Sequence, residues 1–164
     1  MVNNFKVVKG EVEKSIDVMK EVAGWGRSVG LNVWKDEYLT REKLMVNSSE
    51  DEFCLGQVDG DDACCMILQW SDTFFWPKAK ENEAGYLHKL CVRREYAGMG
   101  LPKKMVEFAI EECKKKNVPY LRLDTGWNNK KLCSLYKSLG FEIVDKFLLE
   151  GGGVFALFEM KIPK

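Results

Sequence analysis

Histidine is nearly absent from this chain: His88 is the only one among 164 residues. Of the six cysteines, Cys54, Cys64, Cys65, Cys91, Cys113 and Cys133, none forms a C-x-x-C pair. A zinc centre needs several such ligands at short spacings, so no metal site is expected. Charge of one sign is also lacking, because 25 basic residues balance 25 acidic ones. No global field therefore draws in nucleic acid or an anionic membrane, and any anion site must be local. No apolar run approaches the roughly 20 residues that span a bilayer. The stretch "MVNNFKVVKGEVEK" has no apolar segment of the secretory kind. The cysteines fall mostly in apolar strand or helix patterns, where a thiol acts as a small hydrophobe. The expected compartment is a reducing cytoplasm. Two nucleotide motifs are missing as well. A dinucleotide fingerprint from Gly98 would need glycine where Lys103 stands, and no Walker loop occurs.

The chain is 46% hydrophobic and 30% charged, ordinary for a soluble globular protein. Its length suits one domain over residues 1–164. "FKVVKG" is expected as a first strand. "EVEKSIDVMKEVAGWGRSV" carries Val12, Ile16, Met19 and Val22 at helical spacing, with glycines 24, 26 and 30 expected to end or kink the helix. "KDEYLTREKLMV" reads as a second helix. Asp59–Gly60 between two apolar runs signals a hairpin. "SDTFFWPKAKENEAG" is a long loop, and such loops are often functional. Then come the strand "YLHKLCV", a helix from Leu101, the strand "PYLRLDTG" and a helix that stops at Gly140. A final hairpin turns across "GGG". The order is β-α-α-β-β-β-α-β-α-β-β. The central strand–helix–strand unit should be parallel and right-handed. The fold class expected is α/β (α+β), a mixed and mostly antiparallel sheet with helices on both faces.

One stretch asks for chemistry. "VRREYAGMGLPKKM" places Gly98 and Gly100 before a helix whose first N–H groups are unpaired and whose dipole end is positive. Glycines there let backbone approach an anion. On these residues alone, a phosphate cradle and an ordinary helix-opening turn both remain open.

Four segments in order sharpen the choice: "YLHKLCV", "REYAGMGLPKKM", "LRLDTGWNN" and "NKKLCSLYKSLGF". Together they resemble the GNAT superfamily of N-acetyltransferases. That family shows V-x-P-x-Y-R-G-x-G-I-G before a helix, then a strand, then N-x-x-A-x-x-L-Y-x-x-x-G-F. Val92, Tyr96, Gly98, Gly100 and Leu101 fill the first pattern. Asn129, Leu135, Tyr136, Gly140 and Phe141 fill the second.

The resemblance implies acetyl-CoA as cosubstrate and a V-shaped splay between the fourth and fifth strands. It implies that backbone groups of Leu90, Cys91 and Val92 pair with the pantetheine arm, as an added strand would. Amides across Ala97, Gly98, Met99, Gly100, Leu101, Pro102 and Lys103 would cradle the pyrophosphate. Asn129 would bond the cofactor arm, and Tyr136 would protonate the departing thiolate. Two positions depart from the pattern: Ala97 replaces the usual arginine or glutamine, and Pro102 removes an N–H. Proline is nevertheless at home in a first helical turn.

Outside the motif, His88 is a candidate base, with a structural histidine as its alternative. Glu83 is its rival. Asp124 could bind an ammonium or cap a turn. Trp34, Asp72, Trp76 and Glu83 belong to segments that could receive a cationic amine. The same aromatics could instead be core or homodimer contacts. The function expected is direct transfer of acetyl to a primary amine of a small molecule or peptide in a ternary complex. A non-catalytic acyl-CoA-binding or interaction module is the alternative.

Overall fold

A computed structural model describes residues 4–164. Among them, seven strands form one sheet: β1 (Phe5–Lys9), β2 (Phe53–Val58), β3 (Asp61–Gln69), β4 (Ala84–Val92), β5 (Tyr120–Gly126), β6 (Glu142–Leu148) and β7 (Val154–Lys161). Four helices intervene: α1 (Val12–Ser28), α2 (Arg41–Leu44), α3 (Leu101–Lys116) and α4 (Lys130–Ser138). The strands lie in the order β1-β2-β3-β4-β5-β7-β6. The β1–β2, β2–β3, β5–β7 and β6–β7 pairs are antiparallel, and β4–β5 is parallel. The parallel register covers Ala84–Tyr86 against Tyr120–Arg122. This is the mixed α/β sheet that the element order predicts.

Local chemistry accounts for most boundaries. Asp59 and Gly60 take φ of 51° and 86° between β2 and β3, as a type I′ hairpin requires. Asn129 caps α4 by accepting the Leu132 N–H at 3.1 Å. Two expectations need correcting. The first helix is neither ended nor interrupted at Gly24 and Gly26; it runs to Ser28. Gly26 is fixed by tertiary crowding, since a Cβ there would lie 2.8 Å from Val33 Cγ1. The second helix is two short pieces, a 3-10 turn at Asp36–Tyr38 and α2. They divide where Leu39 is buried and Thr40 restarts the helix by accepting the Lys43 N–H.

Backbone contacts divide the chain into two compact units. One comprises the chain up to Leu68 with Lys89–Met105. Its core joins Val12, Ile16 and Met19 of α1 to Phe53 and Leu55 of β2, Cys65 and Ile67 of β3, and Cys91 of β4. The other comprises Gln69–His88 and Val106–Lys164. There Leu121 and Leu123 of β5, Phe158 of β7, Ala109 and Cys113 of α3 and Phe141 are buried. Each large apolar side chain so buried is worth about 1.5–3 kcal/mol before the cost of ordering it. All six cysteines are free and buried. Burial pushes the Cys64 and Cys113 thiols up to about 12, so neither supplies a thiolate near neutrality. Among the described residues, no helix is long and apolar enough to cross a membrane.

Candidate active site

In the first unit, Gly98 and Gly100 have φ of 79° and 75°. A residue with a Cβ loses about 1–2 kcal/mol in that left-handed region. A Cβ at either glycine would meet nothing within 4 Å, so the requirement is conformational and the turn faces open space. Left-handed residues thus flank Met99, and turns of left- and right-handed residues in succession are the kind from which anion-binding nests are built. The first turn of α3 continues this surface. Lys104 N–H donates to the Gly100 carbonyl at 3.3 Å, while the earlier amides precede the helix's own ladder. Leu101 anchors the turn in the core, and Pro102 is the second helical residue. Ala97 and Lys103 are exposed. Lys104 leans its ammonium over the Phe5 ring at 5.8 Å, which directs its charge toward β1.

The strand leading into this turn is firmly held. Arg93 N–H donates to the Ala63 carbonyl at 2.9 Å. The Arg93 guanidinium donates twice to Glu21, at 2.9 Å each, and to the Asp62 carbonyl at 2.8 Å. Cys91 turns its thiol into the core, 3.6 Å from Cys65 Sγ. Leu90 and Val92 are half-buried. Lys89 takes φ of 56° inside β4, a left-handed residue within the strand. The Lys89 ammonium lies 4.9 Å from the centroid of Trp34. The face of Trp34 thus already meets a cation of this chain.

In the second unit, strand register brings three candidates together. Tyr86 pairs with Arg122, Arg122 with Glu159, and Asp124 with Leu157. Residues in register share a face and residues two apart return to it, so Tyr86, His88, Arg122 and Asp124 lie on one face. The loop of residues 70–83 packs on that face. His88 Nε2 is 3.1 Å from Asp72 Oδ2, and His88 Nδ1 is 3.9 Å from Asp124 Oδ1. The Asp72 side chain is only 7% exposed. Asp72 Oδ2 and His88 Nε2 are buried without an aligned hydrogen bond. Their contact is close but not aligned as a hydrogen bond. One carboxylate oxygen of Asp72 is fixed, since Oδ1 accepts the Phe75 N–H at 3.2 Å.

Asp72, His88 and Asp124 each offer an atom within 4.8 Å of the others, a spacing also seen at metal centres. However, the two imidazole nitrogens face different carboxylates. A single ion takes only one nitrogen of a ring, whereas a proton relay uses both. The arrangement suits proton transfer better than metal ligation.

Glu83 is engaged elsewhere. Arg122 Nη1 donates to Glu83 Oε2 at 2.7 Å. That hydrogen bond holds the Glu83 carboxyl below its ordinary value of 4.5. A carboxylate so held is a poor proton acceptor. Trp76 stacks over the same guanidinium, its centroid 4.6 Å from Arg122 Cζ. The sequence reading did not single out Arg122, although a charged residue inside the apolar run "LRL" was the available signal.

Asn129 and Tyr136 also belong to the second unit. Asn129 uses Oδ1 as the cap of α4, and its side-chain N–H groups are the donors it could offer a ligand. Tyr136 is 7% exposed, edge-on to Phe141 at 6.0 Å and tilted against Phe158 at 5.8 Å. Phe158 pairs with Leu123, which alternates with Asp124. Tyr136 and His88 therefore approach this part of the sheet from opposite faces. Within the first unit, a cavity of about 400 Å³ is lined by Lys14, Asp61, Asp62, Arg93 and Tyr96. Its charged walls carry none of the chemistry above.

The chain resembles known proteins over most of its length. Residues 30–141 match the acetyltransferase (GNAT) family. An uncharacterized N-acetyltransferase of Bacillus subtilis, YesJ, is 25% identical over 159 residues, which span 93% of this chain and 86% of that protein. A GNAT-family acetyltransferase of Listeria monocytogenes superposes with a TM-score of 0.75 at 26% identity, covering 96% of this chain and 94% of the other. The PaiA N-acetyltransferase of Thermoplasma acidophilum, solved in complex with coenzyme A, shares the fold with a TM-score of 0.69 at 21% identity over 97% of this chain and 99% of the other.

Proposed function

Since the chain belongs to the GNAT family of acetyltransferases, we propose that it moves acetyl from acetyl-CoA to a primary amine of a small molecule or peptide, by direct attack in a ternary complex. The reading treats residues 1–164 as one acetyltransferase-like domain, and the likeness to the Listeria protein over 96% of the chain supports that. The coenzyme A held by the PaiA protein supports acetyl-CoA as donor.

The observation that carries the acceptor half is the imidazole of His88 between two carboxylates. Asp72 beside Nε2 favours the proton there and leaves the Nδ1 lone pair free. An amine nitrogen placed between Nδ1 and Asp124 Oδ1, which are 3.9 Å apart, can reach both at about 2.8 Å. Asp124 attracts the ammonium and His88 Nδ1 accepts its proton. The neutral amine then attacks the thioester carbonyl, so that a C–N bond forms as the C–S bond breaks. β4 and β5 pair over Ala84–Tyr86 and Tyr120–Arg122, so in this scheme the thioester enters beyond that register, where His88 serves it from one face and Tyr136 gives its proton to the thiolate from the other. The family resemblance implies a backbone N–H of Leu90–Val92 for the oxyanion. The nest at Gly98–Lys103 receives the pyrophosphate.

This reading has acetyl-CoA and the amine as partners, without nucleic acid or membrane, in the reducing cytoplasm that six free thiols favour. The missing N–H of Pro102 favours the second reading, an acyl-CoA-binding module without turnover. An assay of CoA release against monoamines, polyamines, amino acids and short peptides separates the two. Turnover with at least one amine is expected. Binding of acetyl-CoA with no transfer to any of them would leave the second reading.

A further inference from the structure

Arg122 sits between Leu121 and Leu123 in β5 with its side chain only 9% exposed. Its guanidinium donates to Glu83 Oε2 at 2.7 Å, to the Tyr86 hydroxyl at 3.1 Å and to Glu159 Oε2 at 2.9 Å. Burial works against its charge, but the hydrogen bonds to Glu83, Glu159 and Tyr86 outweigh burial and raise its pKa. The ring of Trp76 covers it at 4.6 Å. Two of these contacts, Glu83 and Trp76, belong to the loop of residues 70–83, and two to β4 and β7. The guanidinium therefore fastens the loop to the sheet at two places. Its planar fork suits several simultaneous acceptors in a way an ammonium does not.

The path from this clamp to the imidazole is short. Trp76 N–H donates to the Asp72 carbonyl at 3.1 Å. Phe75 N–H donates to Asp72 Oδ1 at 3.2 Å. These turns hold the carboxylate whose Oδ2 lies 3.1 Å from His88 Nε2. Resting on the acetyl-transfer reading for its catalytic meaning, we propose that Arg122 is a positioning residue. By clamping the loop through Trp76 and Glu83, it keeps Asp72 at Nε2 and so sets which nitrogen of His88 takes the amine proton. Arg122 itself touches no reacting atom in this scheme.

The chain has one histidine, so a ¹⁵N-labelled imidazole reports on His88 without ambiguity. Long-range ¹H–¹⁵N spectra of the full chain near pH 9, where an ordinary imidazole is neutral, read the tautomer. The wild type should show Nε2–H. Asp72→Asn and Arg122→Gln should each move population toward Nδ1–H. The double variant should move it no further than the larger single shift, because both act on one contact. A wild-type tautomer in folded Arg122→Gln overturns the proposal. Should that variant fail to fold, the double variant Trp76→Leu/Glu83→Gln removes both links to the loop while keeping the Arg122–Glu159 pair. It too should shift the tautomer, and an unchanged spectrum overturns the proposal. An unshifted Asp72→Asn protein would instead refute the pairing of Asp72 with His88, a failure distinct from that of the clamp.

Discussion

Replacing Pro102 by alanine returns an N–H to the second residue of α3, in the turn that opens with Gly98 and Gly100. The amides there precede the helical ladder, so a restored N–H has no competing partner within the helix. Charge-assisted hydrogen bonds contribute about 1.5–3 kcal/mol. With about 1.4 kcal/mol per tenfold, acetyl-CoA should bind roughly 10- to 100-fold tighter. Stability should move the other way. Losing the proline frees the unfolded chain and costs about 0.4–1 kcal/mol, or a fall in Tm of roughly 1–4 °C for a chain of this size. Titration calorimetry with acetyl-CoA and thermal unfolding of the same variant measure both effects. A Kd unchanged while Tm falls as expected would mean that residue 102 does not face phosphate. The reasoning that places the pyrophosphate on this turn would then lose its support.

Tyr136→Phe should lower kcat more than about 10-fold while leaving acetyl-CoA affinity within about 2-fold, because the phenol acts on the leaving thiolate rather than on binding. Equal turnover would remove Tyr136 from the mechanism. Asp124→Asn should raise KM for the amine more than it lowers kcat, and the reverse split would argue against an ammonium site. The Glu83–Arg122 pair makes a pH prediction. The Glu83 carboxyl is held below 4.5 in the folded state by its hydrogen bond from Arg122, so its contribution is complete above 4.5 and fades as pH falls through the depressed value. Denaturation curves of wild type and Glu83→Gln should therefore differ near neutrality and converge in acid. A constant gap across that range would contradict the pairing.

Much of the strand and helix pattern was legible because most boundaries have a local cause, such as Asp59–Gly60 or the Asn129 cap. The end of α1 was less so, since Gly26 answers to Val33 across a loop and no local rule reveals that contact. Gly98, Gly100, Asn129 and Tyr136 could be picked out as a family pattern, and their roles toward the cofactor are the proposal above. Asp72, His88 and Asp124 could each be named from sequence, but their meeting could not. It depends on the Tyr86–Arg122 register and on where the loop of residues 70–83 lands. The same register explains why Glu83 looked like a free carboxylate until Arg122 was found beneath it.

The central claim is that His88, set between Asp72 and Asp124, takes the proton of the acceptor amine. Steady-state CoA release by His88→Gln, with an amine that the wild type acetylates, tests it most directly. A positioned base contributes about 10²–10⁴-fold, so kcat should fall by about 100-fold or more with acetyl-CoA affinity unchanged. Turnover within a few-fold of wild type would contradict the account and leave deprotonation to water.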